Sequence, residues 1–108
     1  IPNNKYANWL TTPSMRLKIP YYSFYGNVFN VLPEIETDFD FILIDAMKDY
    51  ENRLKLLELV NKKTSKNSII ILDGEWINNA MKDFARNNNS KIYEYGRIGI
   101  FVKNALRK

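Results

Sequence analysis

The chain has 108 residues, enough for a modest core, and we expect one domain over residues 1–108. It contains no cysteine and no histidine, which excludes disulfides, thiolate or histidine metal sites and His-dependent nucleophilic dyads. The net charge of +4 comes from scattered lysines and arginines, so nucleic-acid binding is not expected. No apolar run is long enough to cross a bilayer, and we expect no membrane partner and a cytoplasmic location.

The first quarter of the chain carries weak structural signals. Residues 1–19 contain two of the four prolines and are expected to form an irregular lead-in. The aromatic segment 21–25 (YYSFY) predicts a strand. Gly26 and Asn27 predict a turn, and apolar residues at helical spacing over 28–32 predict a short helix.

The stretch 38–50 (DFDFILIDAMKDY) organises the rest of the chain. Its unbroken apolar run 41–44 (FILI) is too short for a globular helix and predicts a strand covered on both faces. The run ends on Asp45, and ligands of open α/β sheets bind beyond the carboxyl ends of strands, so Asp45 is a candidate functional residue. The alternative is that Asp45 only caps the following helix.

A second helix is predicted after Asp45, with a stripe that includes Leu54, Leu57 and Val60. Its charged residues are expected to face water: Glu51, Arg53, Lys55 and Glu58. Residues 64–68 are predicted to form a loop, and 69–72 (IIIL) a second apolar strand that also ends on a carboxylate, Asp73.

A third helix is predicted after Gly74. Its apolar face is expected to comprise Trp76, Ile77, Ala80, Met81, Phe84 and Ala85. Residues 91–95 and 98–103 predict a hairpin around Gly96 and Arg97. This alternation predicts an α/β fold: a Rossmann-like three-layer sandwich with a mostly parallel sheet and a C-terminal antiparallel hairpin.

The order of elements and motifs carries a family resemblance. Residues 24–60 (FYGNVFNVLPEIETDFDFILIDAMKDYENRLKLLELV), followed by 68–76 (SIIILDGEW), resemble the second half of class I S-adenosylmethionine-dependent methyltransferases. The likeness is to the small O-methyltransferases of the catechol and caffeoyl-CoA type, and it covers about 21–103. It implies a partial methyltransferase fold, with S-adenosylmethionine as the cofactor.

The resemblance also implies where the cofactor lies. Gly26 and Asn27, with Val28 beside them, fall on the turn that contacts the adenine. Asp45 and Ala46 fall beside the methionine moiety.

The same resemblance implies catalytic and metal-binding roles. Asp45 positions the donor, and Lys48, which is followed by Tyr50 as in the family, orients the acceptor oxygen or serves as a base. Asp45 and Asp73 fall on positions that bind a cation such as Mg²⁺ in metal-dependent members, and Glu75 is a possible substitute ligand. The branch often has a further Asp where this chain has Met47, and an Asn where it has Gly74.

The resemblance is incomplete at the cofactor site. None of the four glycines stands in a strand–GxGxG–helix setting, and the acidic strand end that binds the ribose has no counterpart. The expected function is therefore methyl transfer to an oxygen of a small-molecule acceptor, as the C-terminal part of a larger methyltransferase domain.

Two other functions remain open at this stage. One is a truncated Rossmann-like interaction module without catalysis, which pairs as a homodimer or through an open sheet edge. The other is a phosphoacceptor, because FILIDAMKD resembles the acidic strand end of response-regulator receivers. Receivers also need an acidic pair after their first strand, and none is visible near Tyr25.

Overall fold

A computed structural model describes residues 24–104 of the chain. The chain divides into two compact units, Ile1–Ile35 and Glu36–Lys108. This division does not decide whether residues 1–108 fold as one domain, so that expectation stays a prediction. The predicted lead-in 1–19 lies outside the described residues. So does most of the predicted strand 21–25, and its last two residues have no strand structure.

The described part of the first unit is a short helical segment. Helix α1 spans Val28–Val31 and continues into a 3₁₀ turn, Leu32–Glu34, so the predicted helix is confirmed. The Asn27 side chain caps α1, because its Oδ1 accepts a hydrogen bond from the Phe29 backbone N–H at 2.9 Å.

The second unit contains a four-stranded sheet and two α-helices within the described residues. The elements are β1 (Phe39–Ile44), α2 (Tyr50–Lys62), β2 (Thr64–Asp73), a 3₁₀ turn (Glu75–Ile77), α3 (Ala80–Asn87), β3 (Ile92–Tyr95) and β4 (Ile98–Asn104). The predicted α/β class and the closing hairpin are confirmed.

The order of the strands is β1-β2-β4-β3. Strands β1 and β2 are parallel, whereas β4 pairs antiparallel with both β2 and β3. The sheet of the described residues is therefore mixed, and the prediction of a mostly parallel sheet is wrong for it. The physical reason is that β4, the second strand of the hairpin, lies between β2 and β3, which run in the same direction, so both pairings of β4 are antiparallel.

Both helices of the second unit pack on one face of the sheet. The Phe84 ring of α3 lies 4.9 Å from the Phe101 ring of β4, centroid to centroid. The Lys103 ammonium of β4 donates to the Asn61 carbonyl of α2 at 2.8 Å. Buried apolar side chains fill this layer: Ile44, Leu56, Leu57, Val60, Ile70, Leu72, Ala80, Met81, Phe84, Ala85 and Phe101.

The opposite face of the sheet is apolar and largely uncovered. Register and strand alternation place one set of side chains there: Phe41, Leu43, Ile69, Ile71, Tyr93, Tyr95, Ile98, Ile100 and Val102. We call this set the open face. Five of its side chains are between 38% and 79% exposed. Residues 36–104 thus form two layers, and the third predicted layer is not seen among them.

Two predicted boundaries are wrong. Strand β2 begins at Thr64, where a loop is predicted. Thr64 pairs with Phe39 of β1, and residues 67–68 pair with the end of β4. The third helix begins at Ala80, because the backbone at Asn78 is extended (φ −155°, ψ −177°) and separates it from the 3₁₀ turn. Trp76 is consequently 68% exposed rather than buried.

None of the described helices has the length and the apolar composition needed to cross a membrane.

Candidate functional site at the strand ends

The two predicted strand-end carboxylates lie at the same edge of the sheet. Asp45 directly follows β1, and Asp73 is the last residue of β2. The strands run parallel and Ile44 pairs with Leu72, so Asp45 and Asp73 are the next residues along two neighbouring strands. Neighbouring strands are about 4.8 Å apart. The structure therefore places the two residues at the same end of the sheet, where a ligand site at the strand ends is expected.

Asp45 is not the cap of the following helix. The cap of α2 is Asp49, whose carboxylate accepts from the Asn52 backbone N–H at 3.1 Å and from the Asn52 amide at 2.9 Å. These bonds, the backbone one foremost, lower the pKa of Asp49. Asp45 is exposed and makes no hydrogen bond or ion pair within the described residues. Within residues 24–104 its carboxylate is therefore uncommitted.

Asp73 is already paired with a residue of the hairpin turn. Its Oδ1 accepts from Arg97 Nε at 2.9 Å, and Arg97 lies between β3 and β4. The Arg97 side chain is mostly exposed, so such a pair contributes only about 0.2–1 kcal/mol of stability. A ligand at Asp73 would share the carboxylate with the Arg97 guanidinium.

Glu75, the substitute metal ligand of the sequence analysis, turns into the protein. Its side chain is 3% exposed and lies over Gly99, and its Oε2 has no hydrogen-bond partner among residues 24–104. Burial raises the pKa of Glu75, and the neighbouring Glu94 carboxyl acts in the same direction. The Glu75 carboxyl is therefore not available as a ligand group beside Asp45.

The donor set is poor for a resident Mg²⁺. Asp73 is engaged by Arg97, and Glu75 is turned away. Within residues 24–104 no group of three or more carboxylates is arranged to hold a metal ion. Mg²⁺ is usually held by one or two carboxylates with several waters, so Asp45, together with an Asp73 that the ion would share with Arg97, is a minimal donor set. We therefore derive no chemical step through a metal.

Lys48 and Tyr50 have different surroundings. The Lys48 side chain is exposed and makes no hydrogen bond or ion pair within the described residues, while its carbonyl accepts from the Asn78 amide at 2.8 Å. The Tyr50 hydroxyl donates to Asp83 of α3 at 2.5 Å. This bond raises the pKa of Tyr50 and lowers that of Asp83. Lys48 is therefore available to a ligand, and Tyr50 is committed to α3.

Arg53 is the residue at this site that sequence reasoning missed. The prediction that it faces water is wrong, because its side chain is 2% exposed. The signal was present in the sequence: Arg53 stands three, four and seven positions before Leu56, Leu57 and Val60, which are buried. The prediction follows the charge of the Arg53 side chain, whereas its position in the helix places it on the apolar stripe.

The predicted cofactor residues are divided between the two units. Gly26, Asn27 and Val28 belong to the first unit, and Asp45 and Ala46 to the second. The Asn27 oxygen is used in capping α1, while its amide N–H groups make no hydrogen bond within the described part of the chain. The Asn27 amide thus remains able to donate to an adenine edge.

A shallow depression lies away from the strand ends. It has a volume of about 230 Å³, opens widely to solvent and is lined by Lys82, Ala85, Ser90, Lys91 and Ile92. It contains none of the residues that the resemblance singles out, so it does not contribute to this site.

No protein family, curated protein or solved structure matches the chain.

Proposed function

We propose that the chain is the cofactor- and acceptor-binding part of an S-adenosylmethionine-dependent methyltransferase that acts on an oxygen of a small molecule. Asp45 carries the proposal: it is an uncommitted carboxylate at the carboxyl end of a parallel strand, and the following helix has its own cap in Asp49. The closing antiparallel hairpin also supports it, since the resemblance implies one. The proposal includes the finer fold, a Rossmann-like three-layer sandwich.

The roles of the residues follow from their chemistry. S-adenosylmethionine supplies a methyl group activated on a sulfonium, so the protein has to align donor and acceptor and manage one proton. The Asp45 carboxylate can accept hydrogen bonds from the ammonium of the methionine moiety. The Lys48 ammonium, three residues further along the same loop, can orient the acceptor oxygen. Gly26, Asn27 and Val28 would contact the adenine.

Isothermal titration of S-adenosylhomocysteine into the full chain tests this function. We expect micromolar binding that Mg²⁺ leaves unchanged, and Asp45→Asn should weaken it by about 10-fold or more, because a hydrogen bond to a charged group contributes roughly 1.5–3 kcal/mol. Asp38→Asn is the matched control, since it removes the same charge from an exposed position before β1. Absent binding by a folded chain, or equal losses in both variants, would contradict the proposal.

A second candidate function rests on the open face. We propose that the chain is instead an interaction module whose open face packs against that of a second copy. The exposed parts of its five most accessible side chains amount to roughly 600 Å². This area is at the upper end of the about 300–600 Å² of the largest apolar patch of a typical monomer, and it approaches the about 800 Å² that each partner buries in a standard interface. The set itself carries no charge, and an ion pair on this face, Asp73 with Arg97, lies at its rim, so an equally apolar surface complements the centre.

Sedimentation equilibrium at about 100 μM chain tests this pairing. We expect a dimer, and Leu43→Lys should make it a monomer, because the substitution buries an unpaired charge at the centre of the interface. Asn87→Lys, at the exposed end of α3, should leave the dimer intact. A monomeric wild-type chain overturns the proposal. If its open face is then protected from solvent labelling, another segment of the same chain covers it.

A further inference from the structure

We propose that Arg53 is a positioning residue that sets the distance between the two loops carrying the candidate ligand groups. The first loop, 45–49, follows β1 and bears Asp45 and Lys48. The second, 73–77, begins with Asp73 at the end of β2. This inference rests on the proposed function for its ligand, although its structural part can be tested separately.

The hydrogen bonds of Arg53 join the two loops directly. Its Nε donates to the Met47 carbonyl at 2.9 Å, and its Nη1 donates to the Gly74 carbonyl at 2.9 Å. The guanidinium is planar and rigid, so two donors on one fork fix the separation of the two acceptors. One side chain of α2 thereby ties the ends of both parallel strands.

Arg53 makes these bonds from a buried position without a carboxylate partner. No ion pair between Arg53 and an acidic side chain is found among residues 24–104. Burial lowers the pKa of Arg53, while the charges of Glu75 and Asp73 oppose that change. A buried cation costs free energy that an apolar residue on this stripe would avoid. Its two carbonyl contacts are the feature that an apolar residue could not reproduce.

The first loop needs such support because its backbone is unusual. Met47 has φ +58°, a left-handed conformation that non-glycine residues rarely adopt. The carbonyl of this same residue accepts the Arg53 bond, and the next carbonyl, of Lys48, is held by Asn78. Asp45 and Lys48 are therefore presented by a short loop whose shape depends on contacts from outside it.

The second loop is held from both sides. Gly74 has φ +78°, which suits a glycine, and its carbonyl accepts from Arg53. The backbone N–H groups of Gly74 and Glu75 both donate to the Arg97 carbonyl, at 2.9 and 3.1 Å. This loop is thus anchored to the hairpin, and the Arg53 side chain links it to Met47 of the first loop.

The test compares Arg53→Lys with Val60→Ala. Lysine keeps the charge but offers one compact donor group, which cannot hold two carbonyls in a fixed geometry. Val60 is buried on the same stripe near the far end of α2, so its truncation lowers stability without touching either loop. We expect Arg53→Lys to weaken S-adenosylhomocysteine binding by about 10-fold or more, because a displaced Asp45 loses its charge-assisted hydrogen bond to the ligand, which contributes an effect of that size. Val60→Ala should leave affinity within about 2-fold.

Amide chemical shifts of the same two variants keep the inference independent of cofactor binding. We expect Arg53→Lys to shift the amide signals of both loops, 45–49 and 73–77, and to leave the start of β3 (92–93) and the end of β4 (102–104) unchanged. If the wild-type chain does not bind S-adenosylhomocysteine, the proposed function fails while these shifts still decide the role of Arg53. Shifts confined to one loop, or equal losses of affinity in both variants, would overturn it.

Discussion

Replacing Phe84 with alanine is expected to lower the free energy of unfolding by about 3–5 kcal/mol. The Phe84 side chain is 1% exposed, and its ring stacks at a tilt of 58° against Phe101 of β4. The substitution removes the main aromatic contact between α3 and the sheet, and the cavity adds to the lost transfer free energy. Urea denaturation followed by circular dichroism measures the change.

Trp76→Ala is the control for this prediction. The sequence places Trp76 and Phe84 on one apolar helix face, yet Trp76 lies in the 3₁₀ turn before α3 and is mostly exposed. We expect its truncation to change stability by about 0.5 kcal/mol at most. Comparable losses for the two substitutions would show that the 3₁₀ turn packs more tightly than the structure indicates.

Gly99→Ala is expected to destabilise the chain by about 1–3 kcal/mol. A Cβ at this position would lie 2.5 Å from the Glu75 Cγ and 2.7 Å from the Met81 sulfur, well inside contact distance. Gly99 has no left-handed backbone angle, so the penalty is steric rather than conformational. The measurement is again the free energy of unfolding, from the denaturant midpoint at constant slope.

A double-mutant cycle with Glu75→Ala identifies the source of that penalty. Removing the Glu75 Cγ relieves the closest of the new contacts, so the double variant should lose at least about 0.5 kcal/mol less than the sum of the single losses. Gly99→Ala combined with Glu58→Ala should be additive, because Glu58 is exposed on α2. An additive result for Glu75 would mean that Met81, or a backbone shift, accounts for the cost.

The candidate site was predictable from sequence only in part. Asp45 and Asp73 were identified because each ends an apolar run, and that is a local property of the chain. Whether each carboxylate is paired with another side chain was not predictable. Asp73 pairs with Arg97, 24 positions away, whereas Asp45 has no partner in the described part of the chain and Asp49 caps the helix. Whether a carboxylate is engaged depends on partners that only the folded chain brings close.

The burial of Arg53 and Glu75 shows the same limit for charged residues. Both were assigned to solvent or to a ligand site because of their charge, and the structure buries both. Helical spacing alone would have placed Arg53 on the apolar stripe, since it is in phase with Leu57 and Val60. No nearby residue in the sequence indicates that Glu75 turns inward, because the space it fills is left by Gly99, which is 24 positions further along the chain.

Taken by itself, the sequence determined the α/β class, the two apolar strands with their terminal carboxylates, the long second helix and the closing hairpin. These features follow from side-chain periodicity and turn residues, which act over a few neighbouring positions. The tertiary structure decided the strand order β1-β2-β4-β3, the mixed character of the sheet and the placing of both helices on one face. It also decided that Arg53 joins the two strand-end loops. These outcomes depend on contacts between distant segments, and no local pattern in the chain specifies which segments meet.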